Sequence, residues 1–454
     1  MKINHNITAQ LANVNLKKDE RRVATSLEKL SSGYKITKAA DDSAGMAISN
    51  KMRTQIRALN QASNNADDGQ SIVETADGAL AEVEKMLQRI RELSVQAAND
   101  TYVIDDRDSI QSEIDQLLDE VDRISSTTEF NGTSLLDGSV GRSVTSDIDE
   151  VKAMSASMKV DSGTYAITVT APPTSATATI NNLTSYIPTS GEAVVNINGA
   201  PLTITPSDTS ETIGNKLVDM CNKLDIDVSG TVTGTITLTT KATGSERQIE
   251  VSAPDSYSIS YGTDAQITAG AGFSSNVKIL SNGSIVTIKD NNEFEMLIEV
   301  PKNAPTGAVN LKVYDAGFMG MQIGANEHQR LDMNFEEVSC RTLSLRDSEG
   351  NNLINVCSQK GADKSIAALD EAIKKVSAVR SDLGAYENRL ANTVESLDVS
   401  EYNITNAMAR IRDTDMADEM TQYTQLTVLQ QAATSMLSQA NNKPQEIMNL
   451  LQGM

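Results

Sequence analysis

The feature that most limits what this chain can fold into is a row of apolar residues near its C-terminus. Ile366, Leu369, Ile373, Val376, Leu383, Leu390, Val394, Leu397, Ile404, Met408 and Ile411 recur at spacings of three, four and seven. That spacing sets them on one side of a single helix, with Arg380, Glu387 and Glu401 in the gaps of the register. From 366 to 411 it predicts roughly 70 Å of helix at about 1.5 Å per residue, more than a single compact domain commonly holds. Two earlier rows repeat the pattern: Val73, Ala76, Leu80, Val83, Leu87 and Ile90, then Ile110, Ile114, Leu117, Val121 and Ile124. One such row suits the core of an ordinary bundle. Three, two early and one late, predict distant segments joined in one shared, rod-like bundle.

The extreme ends are amphipathic as well. Ile3, Ile7, Leu11 and Val14 lead into Leu16, Val23, Leu27, Leu30 and Tyr34, and the far end carries Met420, Tyr423, Leu429, Met436, Leu437, Ile447, Leu450 and Leu451. Ser31-Ser32-Gly33 predicts a helix end, because glycine accepts the left-handed conformation there. Asp41-Asp42-Ser43 predicts the N-cap of the next helix. Terminal helices with no partner in the chain are expected to be loose alone and to order on a partner.

Between about 141 and 317 the chain turns to Ser, Thr, Gly and Val, with alternating runs at Tyr165–Thr170, Ala193–Ile197, Leu202–Thr205 and Gly234–Thr240. A helix is predicted within it at Glu211–Lys223. The fold class is therefore mainly α with one inserted α+β domain.

Composition excludes several functions. The net charge of −22 leaves no general basic surface for nucleic acid or an anionic membrane. Residues 1–60 nevertheless carry eleven basic residues against five acidic ones. That asymmetry fits either a solvated face or contacts between neighbouring subunits. No run of about 18 apolar residues is present, and residues 1–30 lack the apolar stretch of a cleaved secretory signal. Only His5 and His328 occur, so a HExxH zinc site is impossible. Asp41-Asp42, Asp67-Asp68 and Asp105-Asp106 read as caps and solvated faces, since adjacent helix residues point apart. No catalytic, cofactor or metal residues are expected. Cys221, Cys340 and Cys357 follow no metal spacing and read as small buried hydrophobes, with a Cys340–Cys357 bridge as the alternative.

The segment SLEKLSSGYKITKAADDSAGMAISNKMRTQIRALNQASNNADDGQSIVETADGAL, then LQRIRELSVQAAND and TEFNGTSLLDG, resemble the bacterial flagellins in order. So do SDLGAYENRLANTVESL, ARIRDTDMADEM and LQQAATSMLSQANNKPQEIMNLLQGM at the other end. MGMQIGANEHQRLDMNFEEVSCRTLSL is similar to that family's β-hairpin segment, and INGAPLTITPSDTSETIGNKL to a motif of its outer domains. The resemblance implies three parts. Residues 1–40 with 415–454 would polymerise, 41–140 with 318–414 would form a helical rod bearing the hairpin, and 141–317 would face solvent. Three thiols and Tyr34, where the family usually has an aliphatic residue, depart from the pattern.

What the resemblance implies of function is a structural subunit of the flagellar filament, exported by the flagellar type III pathway to the extracellular flagellum. A hook–filament junction protein, a secreted adhesin and an enzyme in the middle domain are the competing readings. The implied partners are the chain itself as a helical homopolymer, the hook–filament junction and cap proteins, and a secretion chaperone at the C-terminal end. A host flagellin-sensing Toll-like receptor is implied too, reading Arg89, Leu93 and Glu113. Subunit contacts are expected at Ile3, Ile7, Leu11, Val14, Leu27, Leu30, Leu429, Met436, Leu437, Leu450 and Leu451.

Overall fold

A computed structural model describes residues 6–452 except 142–143, 149, 158–159, 254–255, 275, 291–293, 315–316 and 348–349; for 256–257 and 447–452 it describes the backbone alone. Terminal helices flank a strand-rich centre. Helix α1 (Ile7–Ser32) starts at Asn6, whose Oδ1 accepts from the Ala9 amide, and stops at Gly33, whose φ of +74° and N–H to the Lys29 carbonyl close the last turn. Helix α2 (Ser43–Ala97) begins where expected, because Asp42 Oδ1 accepts the Ala44 and Gly45 amides at 3.0 Å each. Helix α3 (Ile104–Thr127) follows, α4 (Ser210–Lys223) lies in the strand-rich region, and α5 (Gln359–Arg412) and α6 (Met416–Gln452) complete the chain.

The chain divides into two compact units, and the division passes through α2 and α5. The first holds residues 1–66, 322–329 and 392–454. In it α1 lies along α6. Asn6 Nδ2 donates to the Ala440 carbonyl at 2.8 Å, and Ser26 Oγ donates to Glu419 Oε1 at 2.6 Å. The turns after α1 and α5 are joined by the Lys35 amide on the Arg412 carbonyl and the Thr414 amide on the Gly33 carbonyl. Tyr34 finds a role here, with the Arg412 guanidinium 4.3 Å above its ring centre. The described core of this unit is thin: Ile36, Leu59, Ala62, Ala66 and Leu426 are its buried hydrophobic residues.

The second unit holds residues 67–321 and 330–391. Its α2 row, Val73, Ala76, Leu80, Val83, Leu87 and Ile90, is fully buried. Two corrections to the expected rows arise. In α3 the buried face runs Ile110, Ile114, Leu118, Val121 and Ser125, leaving Leu117 and Ile124 half-buried at its flank. In α5 the small residues Ala362, Ser365 and Ala372 share the seam with Leu369, Val376, Leu383 and Leu390, while Ile366 and Ile373 stand half-buried beside it. Small side chains fit where helices approach closely, and a pattern counting only large apolar residues overlooks them. Ion pairs lace α2 to α5: Arg91 to Asp370 at 2.6 Å, and Arg380 to both Asp77 at 2.8 Å and Glu84 at 2.7 Å.

The inserted strand-rich domain holds two hydrophobic clusters. The first is local in sequence. Its three-stranded sheet runs Ser175–Asn181, Thr235–Thr243, Ile226–Gly230, and its four-stranded sheet runs Ser256–Tyr261, Gln248–Ala253, Ala193–Ile197, Ala200–Ile204. Helix α4, capped by Thr209 and Thr212, inserts Ile213, Leu217, Met220 and Cys221 into that core. The second core is non-local. One sheet runs Gln266–Ala269, Gly163–Ala171, Gly307–Val313, Val144–Ser146, and the other Lys278–Asn282, Ile285–Lys289, Glu295–Glu299, Lys152–Ala156. Tyr165, Phe273 and Phe294 cluster within it at centroid distances of 5.1 to 5.8 Å. Met319–Gln322 and Arg330–Met333 form a two-stranded sheet where the hairpin was expected.

Candidate functional site

Within the first unit, large apolar side chains stand in solvent on both terminal helices. On α1, Ile7 is 62 % exposed, Leu11 61 % and Leu27 52 %, with Val14 between them; on α6, Met436 is 67 % exposed and Leu429 also stands out. Leu30 and Leu437 are half-buried. Ile3 lies outside the described residues, as do the side chains of Leu450 and Leu451, whose backbone continues α6. One helix stripe is thus consumed by the α1–α6 contact and a second is left bare.

Further exposed residues of this unit escaped the sequence reading: Ile48 on α2, Val399 and Tyr402 on α5, and Val428 on α6. Their signal was present but faint. Val399 and Tyr402 are three apart, the spacing of neighbours on one helix face, and lie off the main α5 row.

In the second unit, Arg89 and Glu113 come together. Arg89 Nη2 and Nε donate to Glu113 Oε1 at 2.9 and 3.2 Å, and Nη1 reaches Glu92 at 3.3 Å. The bond to Glu113, then that to Glu92, raises the Arg89 pKa. Both side chains are about half exposed, so the pair is accessible and its own contribution to stability is small. Leu93 is only 2 % exposed. The Arg89 and Glu113 side chains are thus open to solvent, whereas the Leu93 side chain is buried.

The chemistry-bearing residues are otherwise occupied. Asp41 accepts from Thr37 and from the Lys38 amide, which, with the latter first, pull its carboxyl below the usual range. Asp105 pairs with Lys223 at 2.6 Å, and Asp106 Oδ2 accepts the Val103 amide at the start of α3. All three cysteines are free and buried. Burial pushes the Cys221 and Cys357 thiols up to about 12 and raises Cys340 further. Among the described residues no cluster of His, Cys, Asp and Glu has the arrangement of a metal site, and no helix is long and apolar enough to cross a membrane.

Comparison with known proteins fits this arrangement of helical ends. The family model of the bacterial flagellin N-terminal helical region matches residues 3–140, and that of the C-terminal helical region matches 366–451. A flagellin of Clostridium tyrobutyricum is 34 % identical over 446 residues, covering 98 % of this chain and 100 % of that protein. A flagellin of Salmonella rubislaw is 32 % identical over 499 residues, covering 99 % of each. The flagellar filament 33 kDa core protein of Treponema phagedenis is 29 % identical over 451 residues, covering 99 % of this chain and 100 % of that protein. Helical ends matched in order and relatives matched along nearly their whole length lead to one conclusion: the chain belongs to the bacterial flagellins, a family of structural filament subunits and not of enzymes.

Proposed function

We propose that this subunit assembles through the bare faces of its terminal helices, with residues 1–40 and 415–454 acting as the polymerisation part. The observation that carries the reading is the row of exposed Ile7, Leu11, Leu27, Leu429 and Met436 on helices already packed together by their other faces. In a filament each subunit repeats the same contact with the next, so a heterologous interface propagates an open helix. Apolar burial contributes about 25 cal/mol per Å² and offsets the entropy of ordering the ends. Residues 41–140 with 318–414 form the rod of this scheme, and 141–317 the solvent-facing outer part. The subunit leaves the cell by the flagellar type III pathway, guided by a chaperone at its C-terminal end, and meets the junction and cap proteins at the two ends of the filament.

Removal of 1–40 and 415–454 tests the division. The truncated protein is expected to remain a folded monomer and to give no filaments by electron microscopy under conditions where the full chain polymerises. Filaments of normal yield would overturn the proposal.

The same scheme includes recognition of the free subunit by the host receptor through Arg89 and Glu113. An exposed guanidinium held by two carboxylates is presented in one orientation, and arginine is enriched at interface hot spots, where truncation costs about 2 kcal/mol or more. Arg89→Ala is expected to weaken binding of monomer to the receptor ectodomain roughly thirtyfold with the fold intact. An unchanged dissociation constant removes Arg89 from the contact.

A further inference from the structure

A cavity of about 460 Å³ lies between strands of the first strand core, Ser344, residues 352–358 and the start of α5, all within the second unit. That volume suits a small molecule. Its charged lining consists of Asp225, Glu246, Arg247, Lys360, Lys364 and Glu371. Four of these six are paired at the surface: Lys360 with Glu250, Lys364 with Glu246 at 3.3 Å, and Glu371 with Lys374 at 3.5 Å.

Asp225 and Arg247 differ. Arg247 lines the cavity, and its Nη2 donates to the Leu353 carbonyl at 2.6 Å, its one side-chain hydrogen bond among the described residues. Asp225 Oδ2 accepts from Asn355 Nδ2 at 2.8 Å, and Oδ1 accepts no hydrogen bond from the described residues. Each lies within the other's field, yet no ion pair joins them. Burial raises the Asp225 carboxyl and lowers the Arg247 guanidinium, the response of two charges short of water. A simple anion entering here meets Asp225 and Glu246, and a simple cation meets Arg247. A ligand carrying both charges a few bonds apart satisfies both.

We propose that this cavity binds a free α-amino acid, with its carboxylate accepting from the Arg247 guanidinium and its ammonium donating to Asp225. A hydrogen bond between a guanidinium and a carboxylate is charge-assisted on both sides and stronger than a neutral one. Leu224, Ala242, Leu353, Ala367 and Ala368 supply an apolar remainder of the wall, which selects an aliphatic side chain.

Titration calorimetry on the full-length monomer tests the assignment with L-leucine, with L-leucinamide, which lacks the carboxylate, and with N-acetyl-L-leucine, which lacks the ammonium. Leucine is expected to bind saturably, and each analogue at least about tenfold more weakly. Asp225→Asn keeps an acceptor for Asn355, and asparagine tolerates the φ of +54° at this position. That variant is expected to lose about tenfold or more in leucine affinity with its thermal midpoint unchanged. Absence of saturable leucine binding, binding of either analogue as tight as that of leucine, or full affinity in Asp225→Asn each overturns the proposal.

Discussion

Replacing Leu87 by alanine probes the helical seam of the second unit. Leu87 is completely buried, between Val83 and Ile90 of the α2 row. The change removes three carbons, about 2.4 kcal/mol at roughly 0.8 kcal/mol per buried methylene. The space left behind adds to this, and fully buried Leu→Ala changes cost about 2–5 kcal/mol, so about 3 kcal/mol is expected. With a urea dependence near 3 kcal/mol per molar for a unit of this size, the midpoint should fall by about 1 M. Val95, on the same helix but 49 % exposed, is the control, and Val95→Ala should cost less than about 0.5 kcal/mol. Urea unfolding of monomer, followed by far-UV circular dichroism, reads both. Equal midpoint shifts in the two variants would show that the row is not a core.

Other outcomes follow from single contacts. Ser26→Ala strips the hydroxyl donor from Glu419, a carboxylate only 7 % exposed, and should cost about 1–3 kcal/mol, read as faster amide exchange in α1 and α6; unchanged exchange contradicts the contact. Asp208 is held down to about 2 by the Thr205 amide first and by Lys216 next. Its folded pKa lies below the ordinary 3.8, so its contribution is complete above that value and is lost as pH falls through about 2. An NMR carboxyl titration with its midpoint near 3.8 contradicts this. Cys221, Cys340 and Cys357 should resist a thiol reagent near about pH 8 in the native monomer and all react after unfolding, since thiolate is the reactive form; rapid native labelling contradicts their burial.

Long-period features were legible from the sequence because helix geometry repeats. The α2 row was read residue for residue, Gly33 and Asp42 end and start helices as their chemistry requires, and the helix expected at Glu211–Lys223 spans Ser210–Lys223. The strand Ala193–Ile197 was placed to the residue. What escaped depends on partners distant in sequence. Gly163–Ala171 pairs with both Gln266–Ala269 and Gly307–Val313, and no alternation within one strand encodes its neighbours, so the sheet order and the division into two hydrophobic clusters were not legible. Leu118 replaced Leu117 because two adjacent leucines satisfy the period equally, and only the packing chooses between them. Of the candidate site, the bare stripe of Ile7, Leu11 and Leu27 was legible, whereas the burial of Leu93 was not, since Arg89 and Leu93 are neighbours on paper and face different surroundings in the fold.

The claim on which the account rests is that apolar faces bare in the monomer become buried in the polymer. The chain carrying Leu11→Ser, Leu27→Ser and Leu429→Ser together tests it, because all three side chains are already exposed in the single subunit. Monomer helicity and melting temperature should therefore stay near those of the parent. Full burial of an exposed leucine contributes roughly 1.5–3 kcal/mol, and since about half of each of these three is already covered, assembly adds about 3 kcal/mol for the three together. The critical concentration for polymerisation, measured by sedimentation of filaments, should then rise roughly a hundredfold. A variant that melts like the parent and polymerises at the parent's critical concentration would contradict the account.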